Sequence, residues 1–232
     1  MSFFSHHAAP TNRQGRNLLI PCKVSFFVEG FKVEKLMTPL LTIVVLFALV
    51  FVVAFTGYAV AWLLLINAGN RLTLRQLALK PGMNVVDVGC GSGRFTIPMA
   101  QQVGSTGEVL GIDIQAGKLQ RAEQRVQAAG IKNVRFELAG AGEGKLTHER
   151  FDRALLFAVL GETSNREAAL AEIFQTLKPG GILSVTEGFL DPHYQNRERV
   201  RRLAQAVGFI EESCSGNRLL FTMNLLKPPI LR

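Results

Sequence analysis

Two kinds of apolar pattern divide this chain. From Leu36 to Asn70 no position is charged, and Leu40–Ile66 is almost wholly Leu, Ile, Val, Phe and Ala, broken by Thr42, Thr56, Gly57, Tyr58 and Trp62. A run that is apolar on every face does not read as the one-sided helix of a soluble core. A bilayer core of ~30 Å needs about 20 helical residues, and this run supplies them without a charge. Its central dozen residues, at about −0.3 to −0.6 kcal/mol each, favour insertion by roughly 4–7 kcal/mol. Tyr58 and Trp62 lie toward one end, where interfacial aromatics collect. The run is too long and begins too late for a cleaved signal peptide, and it lacks the polar turn that two crossings need. It predicts one membrane-spanning helix.

Beyond residue 80 the pattern changes to short apolar strands alternating with amphipathic helices. Strands are expected at Val85–Val88, Glu108–Asp113, Asn133–Leu138, Arg153–Val159 and Ile182–Glu187. Helices are expected over Arg94–Val103, over Ala116–Ala129 with Leu119, Ala122, Val126 and Ala129 on one face, and over Arg166–Leu177 with Leu170, Ile173, Phe174 and Leu177 inward. Gly130 closes the second of these. Alternation of this kind implies a mostly parallel sheet covered on both faces. The tail differs. After a helix at Asn196–Val207 and a stop at Gly208, Phe209–Cys214 and Leu219–Leu226 flank Ser215-Gly216-Asn217, a hairpin signal. About 160 residues suffice for one core.

The candidate chemistry starts at the first strand. Val85-Val86-Asp87-Val88-Gly89-Cys90-Gly91-Ser92-Gly93-Arg94 reads as a buried strand, a glycine loop and a helix start. Glycines at alternate positions let backbone turn sharply and approach a ligand, because no Cβ intrudes. At the C-terminal end of the first strand of an α/β sheet, such a loop is a nucleotide site. No Lys follows it as a P-loop requires. The dinucleotide fingerprint, counted from Gly89, demands Gly where Arg94 stands. Asp113 ends the second strand, where a carboxylate suits two ribose hydroxyls. A helix N-cap role is compatible with that position too.

The Gly89-x-Gly91-x-Gly93 spacing, with Asp87 two residues ahead, resembles motif I of the class I S-adenosylmethionine (SAM) methyltransferases. Phe151-Asp152-Arg153-Ala154-Leu155-Leu156-Phe157 resembles that family's fourth-strand motif, and Leu177-Lys178-Pro179-Gly180-Gly181-Ile182-Leu183 resembles the turn into its fifth strand. With Asp113 these matches follow in order over roughly residues 72–227. The resemblance implies a doubly wound, seven-stranded, mostly parallel α/β sheet ending in an antiparallel hairpin, here preceded by one transmembrane helix. It implies SAM as cofactor, held by Asp87, Gly89, Cys90, Gly91, Gly93, Asp113, Ile114 and Phe157, with Asp113 on the ribose and Ile114 against the adenine. The family carries an Asp after the third strand for the adenine amino group. This chain has Ala139-Gly140-Ala141-Gly142-Glu143 there, so Glu143 or the backbone of Ala141 and Gly142 is expected in its place. A lost bond of this type is worth roughly 1–3 kcal/mol.

Three scattered Cys make no disulfide framework, and Cys90 reads as a small filler in the loop. His6, His7, His148 and His193 show no metal-ligand spacing, so no metal is expected. The net charge of +8 raises nucleic acid as a partner, but there is no RNA-binding module or aromatic-interleaved basic stripe. Arg197, Arg199, Arg201 and Arg202 on one helix suit either solvent or anionic lipid headgroups, at ~1 kcal/mol per charge near the surface. Methyl transfer needs mainly alignment, and a base only for a protonated nucleophile. Glu162 and His193 are the candidates, with Glu187 and Tyr194 behind them. Glu162 is also readable as a water-facing side chain, and His193 as part of the turn after Asp191-Pro192. The acceptor is expected to be a small molecule or lipid-like. The competing reading is a membrane-anchored SAM-binding protein without transferase activity.

The expected division is an N-terminal arm (1–36), a membrane anchor (37–70) and a methyltransferase domain (71–232), with the domain in the cytosol where SAM is found. Arg13, Arg16, Lys23, Lys32 and Lys35 precede the span, whereas only Arg71, Arg75 and Lys80 follow closely. This opposes the orientation for the whole chain under the positive-inside rule. A start at Met37 would remove that conflict.

Overall fold

A computed structural model describes residues 33–230. The long helix α1 spans Val33–Gln76. Within it Pro39–Ala61 has a mean hydropathy of 2.8 and no buried residue, which makes it long and apolar enough to cross a bilayer. The chain forms two compact units, one ending at Gly57 and the other beginning at Tyr58. The expected boundary at 70/71 therefore falls inside α1, whose segment from Tyr58 to Gln76 belongs to the second unit. The expectation for residues 1–36 lies outside the described residues except for Val33–Leu36, which are helical. Good helix formers such as Leu72, Leu74, Arg75 and Gln76 follow the apolar run, so the element continues past it.

The second unit is a seven-stranded sheet. In chain order it holds β1 (Asn84–Val88), α2 (Thr96–Val103), β2 (Glu108–Asp113), α3 (Ala116–Ala128), β3 (Val134–Leu138), β4 (Phe151–Phe157), α4 (Arg166–Thr176), β5 (Leu177–Gly188), α5 (Arg197–Ala206), β6 (Ile210–Gly216) and β7 (Leu220–Leu226). The strand order is β3-β2-β1-β4-β5-β7-β6. The first five in that order are parallel, and β7 runs antiparallel between β5 and β6. Chain direction across the sheet reverses between β1 and β4, so a crevice opens at their C-terminal ends.

Apolar side chains fill both faces. Val86, Val88, Leu156, Leu170, Ile173, Leu183 and Val185 share one cluster with Phe221 and Met223, whereas Leu77, Val85, Phe95, Met99, Val103, Val109 and Leu155 form the other. Gly130 has φ +67° just past the C-cap of α3, a left-handed turn that glycine adopts without a Cβ penalty.

One sheet face has a polar patch. Ser184 Oγ donates to Asn224 Oδ1 at 2.7 Å, and Thr186 and Thr222 share a bond at 2.8 Å, all four side chains buried. The end of α1 belongs to this arrangement, because Asn224 Nδ2 donates to the carbonyl of Gln76 at 3.1 Å. Arg153 Nε likewise donates to the carbonyl of Leu77 at 3.0 Å. These bonds satisfy C-terminal carbonyls that a helix leaves without internal partners.

Candidate cofactor and acceptor site

The glycine loop is shaped by backbone conformations that exclude side chains. Gly89, Gly91 and Gly93 have φ of +71°, +56° and +80°, in the region L-residues avoid. A Cβ on Gly89 would run into the side chain of Val159, and one on Gly93 would lie 3.4 Å from Ala122 on α3. A Cβ on Gly91 would meet nothing within 4 Å. It would project into the open crevice, so the absence of a side chain there keeps a cradle clear for a ligand.

Two carboxylates hold the loop. Asp113 Oδ2 accepts from the Gly91 N–H at 3.0 Å and Oδ1 from the Gln115 N–H at 2.8 Å. Asp113 is not the N-cap of α3; Gln115 is. Its carboxylate ties the tip of β2 to the loop after β1, and both oxygens keep lone pairs on the crevice wall. Asp87 is buried, and Thr96 Oγ1 donates to its Oδ2 at 2.5 Å. Burial raises the Asp87 pKa from 3.8 to about 7, against the Thr96 bonds and with some help from the charge of Asp113. Cys90 is buried beside both acids, and burial followed by their charges pushes its thiol well above the ordinary range. A protonated, enclosed thiol is a filler and not a nucleophile.

The raised carboxylate makes a stability prediction. Asp87 ionises near 3.8 when solvated and near 7 in the fold. Its contribution is therefore fully present below about pH 4 and declines as pH rises to about 7, by on the order of 4 kcal/mol. Glu187, raised from 4.5 to about 7 mainly by burial, acts in the same direction. Thermal unfolding between pH 4 and 8 should show the midpoint falling, and Asp87→Asn should flatten the fall. An Asp87→Asn variant with an unaltered pH profile would refute the assignment.

The crevice continues past the loop as a cleft of about 550 Å³ lined by Gly89, Asp113, Ile114, Ala141, Gly142, Glu143, Phe157 and Glu162, a size that suits a small organic ligand. A second hollow of about 320 Å³, with Asp87, Gly91, Arg94, Lys118 and Phe157 on its walls, lies at the loop. The structure thus brings together the cofactor residues expected from sequence. Ile114 is 70% exposed, an apolar face on the cleft wall that a flat base would cover. These features fit SAM: a clear cradle, a carboxylate with free lone pairs, and an apolar platform next to it.

The loop after β3 lines the cleft and is tied to α4. The Gly142 N–H is already used, donating to Glu172 Oε2 at 2.5 Å, and Leu146 N–H donates to Glu172 Oε1 at 2.9 Å. Glu143 lines the cleft but pairs with Lys145 at 2.7 Å. The Gly142 N–H is thus engaged, and of the backbone groups expected here the carbonyls of Ala141 and Gly142 are the ones able to accept from an amino group as an Asp would. Glu172 lies on the same helix as the buried Leu170 and Ile173, and its only sequence signal is an acid on an inward helical face.

Arg94 is a site residue that the sequence does not announce. Its guanidinium lies 5.0 Å from the Phe157 ring centroid and 5.3 Å from that of Phe95, and it donates to Asn70 Oδ1 on α1. It thus joins the glycine loop, the end of β4 and the end of the long helix.

At the far end of the cleft, Glu162 and His193 come together with Asp191. Their ligand atoms lie within 4.8 Å of one another, a group able to hold a cation. Sequence spacing could not show this, because the residues come from loops after different strands. The two loops touch: a Cβ on Gly161 would collide with the backbone of His193. The His193 N–H donates to Asp191 Oδ1 at 2.7 Å, the turn expected from Asp191-Pro192. Glu187 is buried nearby, with Oε2 accepting from the Gln195 N–H at 3.1 Å and Oε1 without a hydrogen-bond partner among the described residues.

A mostly parallel sheet with this strand order, a glycine loop after β1 and an acid at the tip of β2 defines a class I, SAM-binding type of α/β domain. Comparison with known proteins agrees. A family model described as a methyltransferase domain matches residues 79–220, more than half of the chain, and the chain belongs to that family. The ubiquinone/menaquinone biosynthesis C-methyltransferase UbiE of Shewanella pealeana is 31% identical over 132 residues, covering 56% of this chain and 52% of that protein. The 2-phytyl-1,4-naphtoquinone methyltransferase of Nostoc sp. is 30% identical over 137 residues, covering 59% and 58%. The chain spans about half the length of the curated relatives it matches. Among solved structures, a SAM-dependent methyltransferase from Aquifex aeolicus aligns with a TM-score of 0.63 at 22% identity, covering 68% of this chain and 88% of that one. The cyclase SpnF aligns with a TM-score of 0.62 at 19% identity, covering 69% and 80%. At such identities the likeness concerns the fold, which hosts more than one chemistry.

Proposed function

We propose that this chain is a membrane-anchored methyltransferase acting on a lipid-like, quinone-type acceptor. The observation that carries the reading is the cleft itself, which runs from the Gly89–Gly93 loop and Asp113 to the Glu162–His193 cluster, in a chain with an apolar helix of membrane-crossing length. The relatives named for quinone methylation point to the acceptor class.

SAM supplies, when bound, an electrophilic methyl group on a cationic sulfur. The residues of this chain do the remainder. Asp113 would accept from the ribose hydroxyls, Ile114 would cover the base, and Gly89, Cys90, Gly91 and Gly93 would let the backbone approach the cofactor. Asp87 fixes the loop from below. Arg94 and Lys118 offer positive charge to a carboxylate at the loop end. Ala141 and the Gly142 carbonyl remain for the adenine edge, and Phe157 walls the reaction space. At the acceptor end, Glu162 on the cleft wall would take the one proton of an acceptor that begins protonated, with His193 beside it as the alternative base and Asp191 setting the His193 loop. Alignment inside the cleft supplies most of the acceleration, up to about 7–11 kcal/mol.

Methyl-labelled SAM should transfer label to the quinone fraction of a membrane extract when full-length protein is added, with the product identified by mass spectrometry. Saturable SAM binding with no label transferred to any fraction would favour the non-transferase reading. The anchor can be tested separately. Deleting residues 1–57 should preserve SAM affinity but lower turnover of a membrane-dissolved acceptor. Deleting 1–70 should also weaken SAM binding, because it removes Asn70, the partner of Arg94 at the glycine loop. Equal SAM affinity in the two truncations would show that the end of α1 plays no part in the cofactor site.

A further inference from the structure

The edge of the sheet that carries the cleft also carries apolar surface that the domain leaves uncovered. Phe189 and Leu190, which follow β5 directly, are 62% and 78% exposed, and Leu219 and Leu220 at the start of β7 are exposed too. Their backbones lie side by side at the end of the sheet: the Phe189 N–H donates to the Leu219 carbonyl at 2.6 Å, and Leu220 pairs with Gly188. Isolated exposed leucines need no explanation, but a contiguous group at a ligand edge marks an interaction surface.

The position of α1 identifies the partner. Leu220 lies beside Gly69, and Leu72 is exposed about one turn further along the helix. From there α1 runs down the sheet, since the Gln76 carbonyl meets Asn224, further along β7. Within this unit the end of α1 therefore runs from the middle of β7 up to the ligand edge. Upstream, still in the same compact unit, Tyr58, Val60 and Leu63 are exposed. The helix from Ala61, the end of the apolar run, to Gly69 is about 12 Å long. One headgroup layer, half of the difference between a ~40–45 Å bilayer and its ~30 Å core, is about 5–8 Å thick, so this length reaches through the layer to the ligand edge of the domain. Exposed Arg71 and Arg218 flank the patch, matching an anionic surface.

We infer that Phe189, Leu190, Leu219 and Leu220 seat in the headgroup layer of an anionic bilayer, so that the acceptor end of the cleft opens onto the membrane. The inference rests on the membrane reading above and adds the surface and the route of entry. A quinone-type acceptor then enters from lipid beside Phe189, next to the Glu162–His193 cluster, without crossing water. The cofactor end keeps the Arg94, Lys118 and Arg121 rim for a charged, water-borne ligand.

The test uses the full chain in phosphatidylcholine vesicles containing phosphatidylglycerol. Trp62 is the only tryptophan, so the additional emission of the Leu190→Trp variant is read against the unsubstituted protein. The expected result is blue-shifted emission, quenched by lipids brominated near the headgroup and protected from aqueous acrylamide. Emission at the wavelength of water, fully quenched by acrylamide, overturns the inference. Protection from both quenchers together with cross-linking to a second copy also overturns it, in favour of a dimer interface. Alkaline extraction reports the anchor independently. Release of intact protein fails the membrane reading, whereas retention with the added indole of Leu190→Trp emitting as in water fails only this inference. The double variant Phe189→Asp/Leu190→Asp should raise KM severalfold for a membrane-dissolved acceptor. Its SAM affinity and its kinetics with a short-chain, water-soluble acceptor should stay unchanged. Equal KM for both acceptors in wild type and variant would contradict entry by this route.

Discussion

Gly89→Val should destabilise the domain by about 2–5 kcal/mol and abolish SAM binding, since a strained backbone and an overpacked neighbour act together. The backbone at Gly89 has φ +71°, which for an L-residue costs roughly 1–2 kcal/mol. The new side chain must also displace Val159, two residues past β4, and overpacking of that kind costs about 1–3 kcal/mol. Val159 cannot move freely, because its carbonyl accepts from Glu162 N–H at 3.0 Å and from Thr163 Oγ1 at 3.0 Å. The strain therefore reaches the loop that carries Glu162. Gly91→Ala is the matched control. Its Cβ meets no protein atom, so the stability cost should be limited to the left-handed backbone, roughly 1–2 kcal/mol. Its loss of SAM affinity should nevertheless be large, because the methyl group occupies the cradle. Denaturant unfolding separates the two variants, and calorimetry with SAM compares them. A Gly89→Val protein as stable as wild type would overturn this account of the loop.

Asp113→Ala should weaken SAM binding by about 1.5–3 kcal/mol, the value of lost bonds to a charged group. From sequence alone the substitution reads as a clean ligand deletion that leaves the fold intact. The structure adds a second effect: the Gly91 and Gln115 amides lose their acceptor together. Both bonds are only part-buried, so losing them costs less than the roughly 1–3 kcal/mol of a fully stranded donor, and the unfolding midpoint should fall modestly as well. Asp113→Asn separates the roles. Its one oxygen still accepts from Gly91 while the NH2 group faces the Gln115 N–H, so stability should recover in part, and the ribose contact, which needs two acceptors, should stay impaired. Unchanged SAM affinity in a folded Asp113→Ala protein would remove the ribose assignment.

The order of strands and helices is legible in the sequence because each carries its own periodicity. Apolar runs such as Val85–Val88 and Leu155–Leu156 mark buried strands, and the spacing of Leu119, Ala122 and Val126 marks a helix face, all found as expected. The glycine loop and its two acids are legible too, because positive φ and close backbone approach restrict residue choice locally. The strand ends are less so. β5 begins at Leu177, well before the apolar run at Ile182, because Leu177 already pairs with Phe151 across a bulge.

What can be read along the chain is therefore local: the alternation of elements, the loop that must be glycine, and an apolar run that no soluble core of this size could bury. Which distant groups meet is a matter of packing. Glu162 and His193 are far apart in the chain and adjacent in space because β4 and β5 are neighbouring parallel strands whose loops emerge at the same edge. Glu172 takes the Gly142 amide, and Asn70 reaches Arg94, through contacts that no periodicity encodes. The apolar run likewise stands out by composition, but only the tertiary structure shows that the end of α1 lies along β7. Periodicity reports how one segment faces its surroundings; which segments face each other depends on strand order and chain crossings, and these are settled only when the whole core is packed.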